Sequence, residues 1–352
     1  MRPPLGWFRS LLVVGTVGSP LACTEPLPQI RYVTDQAEIG TDFGHSICPS
    51  ELAWLDGHIE YVEDLLDAGS DERIEIYLYQ SVPPQCHLFG CYTEEGYIAS
   101  NWNALDHEVV HAVVDRIGDP PPFWSEGIAE ALTRRGTYRG YRQAVSENVM
   151  ASDSTEVDYA TAGHFVRWLI QTRGIESVRM VLEGGSVEHA FGQTLAQLEA
   201  EYEEDAPYAY PPIRDACDFL PLPAVDEVSW SEDIAISCDR EGIFRFEGFW
   251  LSAVRTVQLP AGRYELRVSG GEGARIVGCQ DREWSQPPPE MVNGDVPNAV
   301  EDGQTAWGVL FESERTHMLD LTEGRYKIVL PTWDDEDQVQ IVLRRLGVRA
   351  RG

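Results

Sequence analysis

The sequence predicts an α+β protein in which a mainly helical domain with a small sheet precedes an all-β sandwich. After an N-terminal segment at 23–47, residues 48–205 carry apolar side chains three and four positions apart, the spacing of amphipathic helices. Residues 226–352 carry short apolar runs separated by Gly and Pro turns, the pattern of a β-sandwich. Between the two domains, residues 206–225 are rich in proline and predict a stiff linker. The strands expected in the sandwich are 242–246, 255–259, 264–268, 326–330 and 339–343.

The composition limits the partners of this chain. Its 352 residues are enough for two domains with cores of their own, and 43% hydrophobic with 24% charged residues is typical of globular proteins. A formal net charge of −31 argues against nucleic acid and anionic membrane surfaces as partners. We interpret the charge as a solubilising acidic coat and expect a monomer.

The N-terminus has the features of an export signal over residues 1–22. Two arginines supply positive charge, and the apolar run 11–17 is far shorter than the about 20 residues that span a bilayer. The segment Ser-Pro-Leu-Ala-Cys that ends at Cys23 resembles the processing site of bacterial lipoproteins, which implies a lipid anchor on Cys23. Plain secretion is the alternative, because Pro20 stands where lipoproteins usually carry an aliphatic residue.

The cysteine content supports export. The chain has 7 Cys, and lipidation of Cys23 leaves an even set that can pair in an oxidising compartment. The sequence leaves the pairing open. We expect a local clasp, one bridge within the second domain and one that joins the ends of the first: Cys86–Cys91, Cys238–Cys279 and Cys48–Cys217.

The segment His107-Glu-Val-Val-His111 concentrates the chemistry of the chain. On a helix, H-E-x-x-H places two imidazoles on one face, about one turn apart, which suits two ligands of a single zinc ion. Glu108 is then placed to take a proton from a water in the open coordination position. Apolar residues that recur every four positions from Leu105 predict this helix, and Gly118 ends it. An accidental H-E-x-x-H is the alternative, but chance does not also supply a helix and a third ligand.

A second helix follows the prolines at 120–122 and carries Glu126 and Glu130, four positions apart on one face. A catalytic zinc ion held by two His needs one more donor, and Glu126 is the candidate. Glu130 is placed to accept the outer N–H of a liganding His and so to fix the tautomer of that His. The alternative for Glu130 is a solvated helix face.

H-E-x-x-H followed by Trp-x-Glu-Gly-x-Ala-Glu at 124–130 resembles the gluzincin metallopeptidases, the clan that includes thermolysin and several aminopeptidases. The resemblance implies that Glu126 is the third zinc ligand and that Glu130 matches an acidic residue of thermolysin-like members. The residues 112–125 separate His111 from Glu126, a shorter spacing than in the aminopeptidases. No Gly-x-Met-Glu-Asn-like segment for gripping a free amine precedes the first helix, so the resemblance favours an endopeptidase.

The resemblance extends over about residues 48–204 to compact bacterial peptidase-MA-like domains. Its further signatures are Tyr-x-x-Ala-Gly-x-Phe-Val from Tyr159 and Phe-Gly-x-x-Leu-x-x-Leu-Glu from Phe191. Gluzincins stabilise the oxyanion of the reaction with a Tyr or His from a later helix, which implies Tyr159, with His164 as its rival. A packing role is the alternative for Tyr159.

Two further expectations concern the surroundings of the zinc site. In zinc peptidases of this kind a strand beside the metal pairs with the extended substrate, and the short segment 97–100 is the candidate edge. An ordinary paired strand is the alternative. His58 lies off the apolar stripe of an amphipathic helix over 50–69, and we expect it to be solvated.

Two functions follow from these residues. The first is an exported zinc-dependent endopeptidase that hydrolyses peptide or protein substrates, with Glu108 as general base. In this function His107, His111 and Glu126 hold Zn²⁺, and Tyr159 stabilises the oxyanion. The alternative is a non-catalytic envelope lipoprotein that uses the peptidase-like fold and the sandwich for binding. Glu108 favours the enzyme, because a structural metal site needs no base beside its ion.

Overall fold

The protein folds around two hydrophobic cores. The computed structural model describes residues 26–86, 88–133, 137–138, 144–210, 213, 229–246, 250–279, 309–333 and 337–347. One core draws its buried side chains from residues 37–210, and the other from residues 230–343 together with Cys48. The chain is therefore α+β, with its helices before residue 210 and most of its strands after residue 228. The predicted export signal, Cys23, Cys217 and most of the predicted linker lie outside the described residues.

A five-stranded mixed sheet forms one layer of the first domain. Its strands are β1 Ile30–Val33, β2 Ala37–Thr41, β3 Ile74–Leu78, β4 Gly90–Tyr92 and β5 Ile98–Ser100. Their order across the sheet is β1-β2-β3-β5-β4. The central strands β2, β3 and β5 run parallel, while β1 and β4 pair antiparallel at the two edges.

This order corrects two expectations. The strand β5 is hydrogen-bonded to β3 on one side and to β4 on the other, so the segment 97–100 is not an edge. The edge strand is β4, which the sequence did not predict because 3 residues are too few to show an alternating pattern. The sheet also includes β1 and β2, so the domain boundary predicted at residue 48 leaves out two of its strands.

The described part of the first domain also contains eight α-helices. They are α1 Pro49–Leu66, α2 Leu105–Val114, α3 Pro122–Leu132, α4 Val145–Asn148, α5 Tyr159–Arg173, α6 Ile175–Leu182, α7 Val187–Phe191 and α8 Leu195–Asp205. A turn of 3₁₀ helix at Ser154–Glu156 precedes α5, and β6 Thr137–Tyr138 pairs with β7 Ala209–Tyr210. In α2, Leu105, Val109 and Val113 are completely buried in the core, which leaves the two His of that helix on its other side.

Two glycines let α3 and α5 approach closely. A Cβ on Gly127 of α3 would lie 2.6 Å from Cγ2 of Val166, and a Cβ on Gly163 of α5 would lie 2.5 Å from Cβ of Glu130. A side chain at either position would therefore push the two helices apart. Their contact brings the first turn of α5 alongside α3.

Two antiparallel sheets share the second core. Their strands are β8 Ser229–Ala235, β9 Ile243–Phe246, β10 Trp250–Leu259, β11 Gly262–Ser269, β12 Ala274–Gly278, β13 Val309–Phe311, β14 Thr316–Leu321, β15 Gly324–Thr332 and β16 Gln338–Arg345. One sheet has the order β13-β12-β15-β10-β9 and the other the order β14-β11-β16-β8. Buried side chains of both sheets belong to a single core, which is the arrangement of a sandwich.

The disulfides agree with the sequence in one case and differ in the others. The Cys86–Cys91 clasp is confirmed. The pairs Cys48–Cys217 and Cys238–Cys279 are wrong, because Cys48 is bonded to Cys238 across a separation of 190 residues. Cys279 is disulfide-bonded as well. Such bonds are characteristic of extracytoplasmic proteins. None of the helices in the described ranges has the length and hydropathy that crossing a bilayer requires.

The long-range disulfide follows from a contact between α1 and the second domain. Cys48 is the residue that precedes α1, and the first turn of that helix meets the start of β9. The backbone N–H of Gly242 donates to Oγ of Ser50 at 2.9 Å, and the N–H of Arg245 donates to Oε1 of Glu51 at 3.2 Å. Burial raises the pKa of Glu51 to about 7, although the backbone hydrogen bonds that it accepts from Cys48 and Arg245 act to lower that pKa.

Removal of the long-range bridge is expected to destabilise the protein more than removal of the local clasp. In the chain-entropy model, Cys48→Ala/Cys238→Ala costs about 5 kcal/mol of unfolding free energy and Cys86→Ala/Cys91→Ala about 2 kcal/mol. Chemical denaturation followed by tryptophan fluorescence measures both losses. Equal midpoints for wild type and the Cys48/Cys238 variant would show that the bridge contributes no stability.

Candidate metal centre

Two neighbouring helices bring three possible metal ligands together. His107 and His111 lie one turn apart on α2, and Glu126 lies in the first half of α3. Nε2 of His107 is 3.0 Å from Oε2 of Glu126, and Nε2 of His111 is 3.2 Å from the same oxygen. The two Nε2 atoms are 3.0 Å apart. Among the described residues, these three form the one group of His, Cys, Asp or Glu with a metal-ligand arrangement.

The outer nitrogen of each imidazole has a partner of its own. Nδ1 of His107 lies 3.1 Å from Oε1 of Glu130, and Nδ1 of His111 lies 3.0 Å from Oγ of Ser125. A proton on each Nδ1 satisfies these contacts and leaves a lone pair on each Nε2. Sequence reasoning missed Ser125. The only signal for it is its place directly before Glu126 on the helix.

The three donors fit a zinc ion. Their mutual distances of 3.0–3.2 Å describe a nearly equilateral triangle. An ion about 2.0–2.1 Å from all three atoms fits about 1 Å above the plane of this triangle. Two imidazoles and one carboxylate form the donor set of many catalytic zinc sites and leave a fourth position open. Lone pairs that converge at such distances repel one another, and a shared cation turns that repulsion into attraction.

The ionisation of the site is consistent with cation binding. Burial alone raises the pKa of Glu126, but its contacts with His107 and His111 outweigh burial and lower that pKa to about 2. Burial lowers the pKa of His107, but its contacts with Glu126 and Glu130 outweigh this and raise that pKa to about 10. A proton and a metal ion therefore compete for Nε2 of His107, and the carboxylates of Glu126 and Glu130 strengthen the binding of either.

Glu108 lies beside the donors but is held by the sheet. Its side chain is buried, and burial raises its pKa, although the charges of His111 and His107 act in the opposite direction. The backbone N–H of Tyr92 in β4 lies near the carboxyl group and also acts to lower its pKa, by less than burial raises it. A carboxyl group with a raised pKa beside two metal ligands suits a group that accepts a proton and later returns it.

The structure separates the two candidates for the oxyanion donor. The ring of Tyr159 stacks on that of His107, with centroids 5.9 Å apart, and its hydroxyl lies near the carboxylate of Glu126. Burial and the charge of Glu126 raise the pKa of Tyr159, so the phenol stays protonated at neutral pH. His164 is completely buried, and its Nδ1 lies 2.8 Å from the hydroxyl of Tyr202. Of the two, only Tyr159 lines the cleft in front of the donors.

His58 supports the helix that carries the ligands, and the expectation that it is solvated is wrong. Its side chain is buried, stacks on Trp54 with centroids 5.4 Å apart, and places Nε2 3.1 Å from the carbonyl oxygen of Asp106. The reason is that α1 packs across the first turn of α2. His58 therefore contacts the residue directly before His107.

The donors open onto a cleft with an edge strand as one wall. The strand β4 forms that wall, and Ser154, Thr155 and Tyr159 also line the cleft. Comparisons of the chain with protein-family models, with curated proteins and with solved structures find no match.

We expect one zinc ion per chain, lost when any of the three donors is removed. His107→Ala, His111→Ala and Glu126→Ala each leave two donors, too few for a stable site. Ser125→Ala and Glu130→Ala keep the donors and are expected to weaken zinc binding by about 10- to 100-fold, because they release the imidazoles. Elemental analysis and competition with a chromogenic chelator measure these effects. Wild-type zinc affinity in His111→Ala would exclude this site.

Proposed function

We propose that the protein is an exported zinc-dependent endopeptidase of the gluzincin type, which hydrolyses peptide bonds in peptide or protein substrates. The observation that carries the proposal is the convergence of two imidazole nitrogens and one carboxylate oxygen within 3.2 Å, with the buried Glu108 beside them. An open cleft lies in front of this group. A purely structural metal site has no use for a base and a cleft.

Held by His107, His111 and Glu126, a zinc ion would polarise the scissile carbonyl and lower the pKa of a neighbouring water molecule. Glu108 accepts the proton of this water and later delivers it to the leaving amine. The hydroxyl of Tyr159 donates to the oxygen on which negative charge develops, because its raised pKa keeps it protonated. Glu130 and Ser125 hold the two imidazoles in the tautomer that presents Nε2 to the ion.

The edge strand favours an extended polypeptide as substrate. The strand β4 pairs with β5 on one side only and lies along the cleft. A substrate segment that adds to its free side places its backbone beside Glu108 and the donors. Recognition through the backbone is independent of chain ends, which suits cleavage within a polypeptide. The disulfides of the structure support an extracytoplasmic site of action.

Glu108→Gln is the decisive variant for this function. It keeps the size of the side chain and removes its ability to accept a proton, so we expect zinc content to be unchanged. Hydrolysis of casein or of a quenched peptide library is expected to fall by about 10²- to 10⁴-fold. Chelator removes wild-type activity, and added zinc restores it. Equal rates for wild type and Glu108→Gln, or full activity with chelator, would leave the non-catalytic lipoprotein as the better description.

Tyr159→Phe tests the oxyanion donor separately. The loss of one hydrogen bond to the developing charge is expected to lower kcat by about 10²- to 10³-fold, with little change in KM or zinc content. Tyr97→Phe, which removes a hydroxyl outside the cleft, is the matched control and keeps wild-type kcat. A Tyr159→Phe variant with wild-type kcat would assign that tyrosine to packing.

A further inference from the structure

The general base of the proposed reaction is positioned by the edge strand. The backbone N–H of Tyr92 in β4 lies near the carboxyl group of Glu108 and acts to lower its pKa, as described above. Gly90, two residues earlier, packs directly on the same side chain. A Cβ on Gly90 would lie 2.8 Å from both Cγ and Oε1 of Glu108 and 2.6 Å from Oγ of Ser100. The carboxyl group therefore packs directly against the backbone of β4 at Gly90.

On its own, β4 would hold the side chain of Glu108 only weakly in position. It has 3 residues and is paired on one side only, and such short edges open easily in proteins. Hydrogen bonds between Thr93 and Tyr97 close the turn that joins it to β5. The N–H of Asn101 donates to the carbonyl of Phe89 at 2.8 Å, and the hydroxyl of Tyr92 donates to Oδ2 of Asp115 at 2.9 Å. The covalent tie is the disulfide of Cys91, the central residue of the strand, with Cys86.

The disulfide acts on the base only through the backbone. Successive side chains of a strand point to opposite faces, so Cys91 points away from the face that Gly90 and Tyr92 share. Cys86 and Cys91 pack on the small cluster of Tyr77, Tyr79 and Ala99 on the other face of the sheet. The strand itself thus separates the sulfur atoms from Glu108. The disulfide can affect Glu108 only by fixing the position of β4.

The clasp is accessible to solvent. Cys86 and Cys91 are both half-buried, and the turn between them carries two exposed apolar residues, Leu88 and Phe89. In the long-range bridge, Cys48 has no exposed surface, whereas Cys238 is half-buried like the cysteines of the clasp. A reductant in solution can therefore reach the clasp without unfolding either core.

We propose that the Cys86–Cys91 disulfide positions Glu108 through β4, so that hydrolysis depends on the oxidised clasp. This inference rests on the proposed function. A thiol reductant supplies two electrons and two protons, the S–S bond breaks into two thiols, and the reductant becomes a disulfide. The chain is then a weak hydrolase in a reducing compartment and reaches full activity after oxidation outside it. The clasp thereby confines proteolysis to the place of export.

The first test compares two disulfide variants of the full chain. Cys86→Ala/Cys91→Ala is expected to retain one zinc ion and to lose about 10- to 100-fold in kcat, the effect of a misplaced catalytic group. Cys48→Ala/Cys238→Ala is the matched control, with lower stability and wild-type kcat at a temperature where it is folded. Gly90→Ala keeps the clasp but crowds Glu108, and is expected to lower kcat with unchanged zinc content.

A double-mutant cycle separates positioning of the base from general loss of structure. In the Glu108→Gln background the same Cys86/Cys91 replacement is expected to change the residual rate by less than about twofold, because the group that it positions is gone. A loss as large as in the wild-type background would overturn the inference. So would wild-type kcat in Cys86→Ala/Cys91→Ala.

Reversible reduction covers the case in which the cysteine variant does not fold. A water-soluble phosphine reduces the clasp in the wild-type protein and becomes a phosphine oxide, with its oxygen taken from water. We expect kcat to fall with zinc retained, and reoxidation to restore kcat. An unchanged kcat in the reduced protein would overturn the inference.

If oxidised wild type shows no zinc-dependent hydrolysis at all, the proposed function fails. If it is active and insensitive to loss of the clasp, only this inference fails.

Discussion

The convergence of three electron-pair donors at about 3 Å is the constraint on which the rest of the structure depends. Their outer contacts hold the two imidazoles and the carboxylate in place, and a cation or a shared proton between them offsets their repulsion. Glu130 and Ser125, both on α3, supply the contacts. The packing of α3 against α2 therefore sets ligand position and ligand tautomer together.

The same constraint explains why this very acidic chain buries two carboxylates beside the imidazoles of α2. Glu108 and Glu126 are both buried, which is costly for a charge that has no partner. The imidazoles of α2 offset that cost for Glu126, whose pKa falls to about 2. Glu108 has weaker compensation, from charge and from one backbone N–H, and its pKa rises. Two carboxylates on neighbouring helices thus acquire opposite tendencies, one to hold a cation and one to exchange a proton.

Contacts outside the cleft connect the second domain, through α1, to α2, the helix that carries His107 and His111. The sandwich reaches the first turn of α1 through the Cys48–Cys238 bond and the N–H groups of β9. The same helix reaches the first turn of α2 through His58, which contacts the carbonyl before His107. On the other side of α3, the close glycine contact with α5 brings Tyr159 to Glu126. The helices that carry the ligands are therefore packed against α1 on one side and α5 on the other, both distant from them in sequence.

The sequence alone determined the parts of this site that depend on spacing within one element. The separation of His107 from His111, and of Glu126 from Glu130, needs only the period of a helix, because residues four apart always share a face. The Cys86–Cys91 clasp was equally predictable, since a turn across a sequence separation of 5 leaves the two cysteines close together. Only the tertiary structure decided which elements meet. It made β4 rather than β5 the edge, paired Cys48 with Cys238, buried His58, and placed Tyr159 rather than His164 in the cleft. The last three depend on packing between segments tens of residues apart, and no local period in a single sequence contains that information.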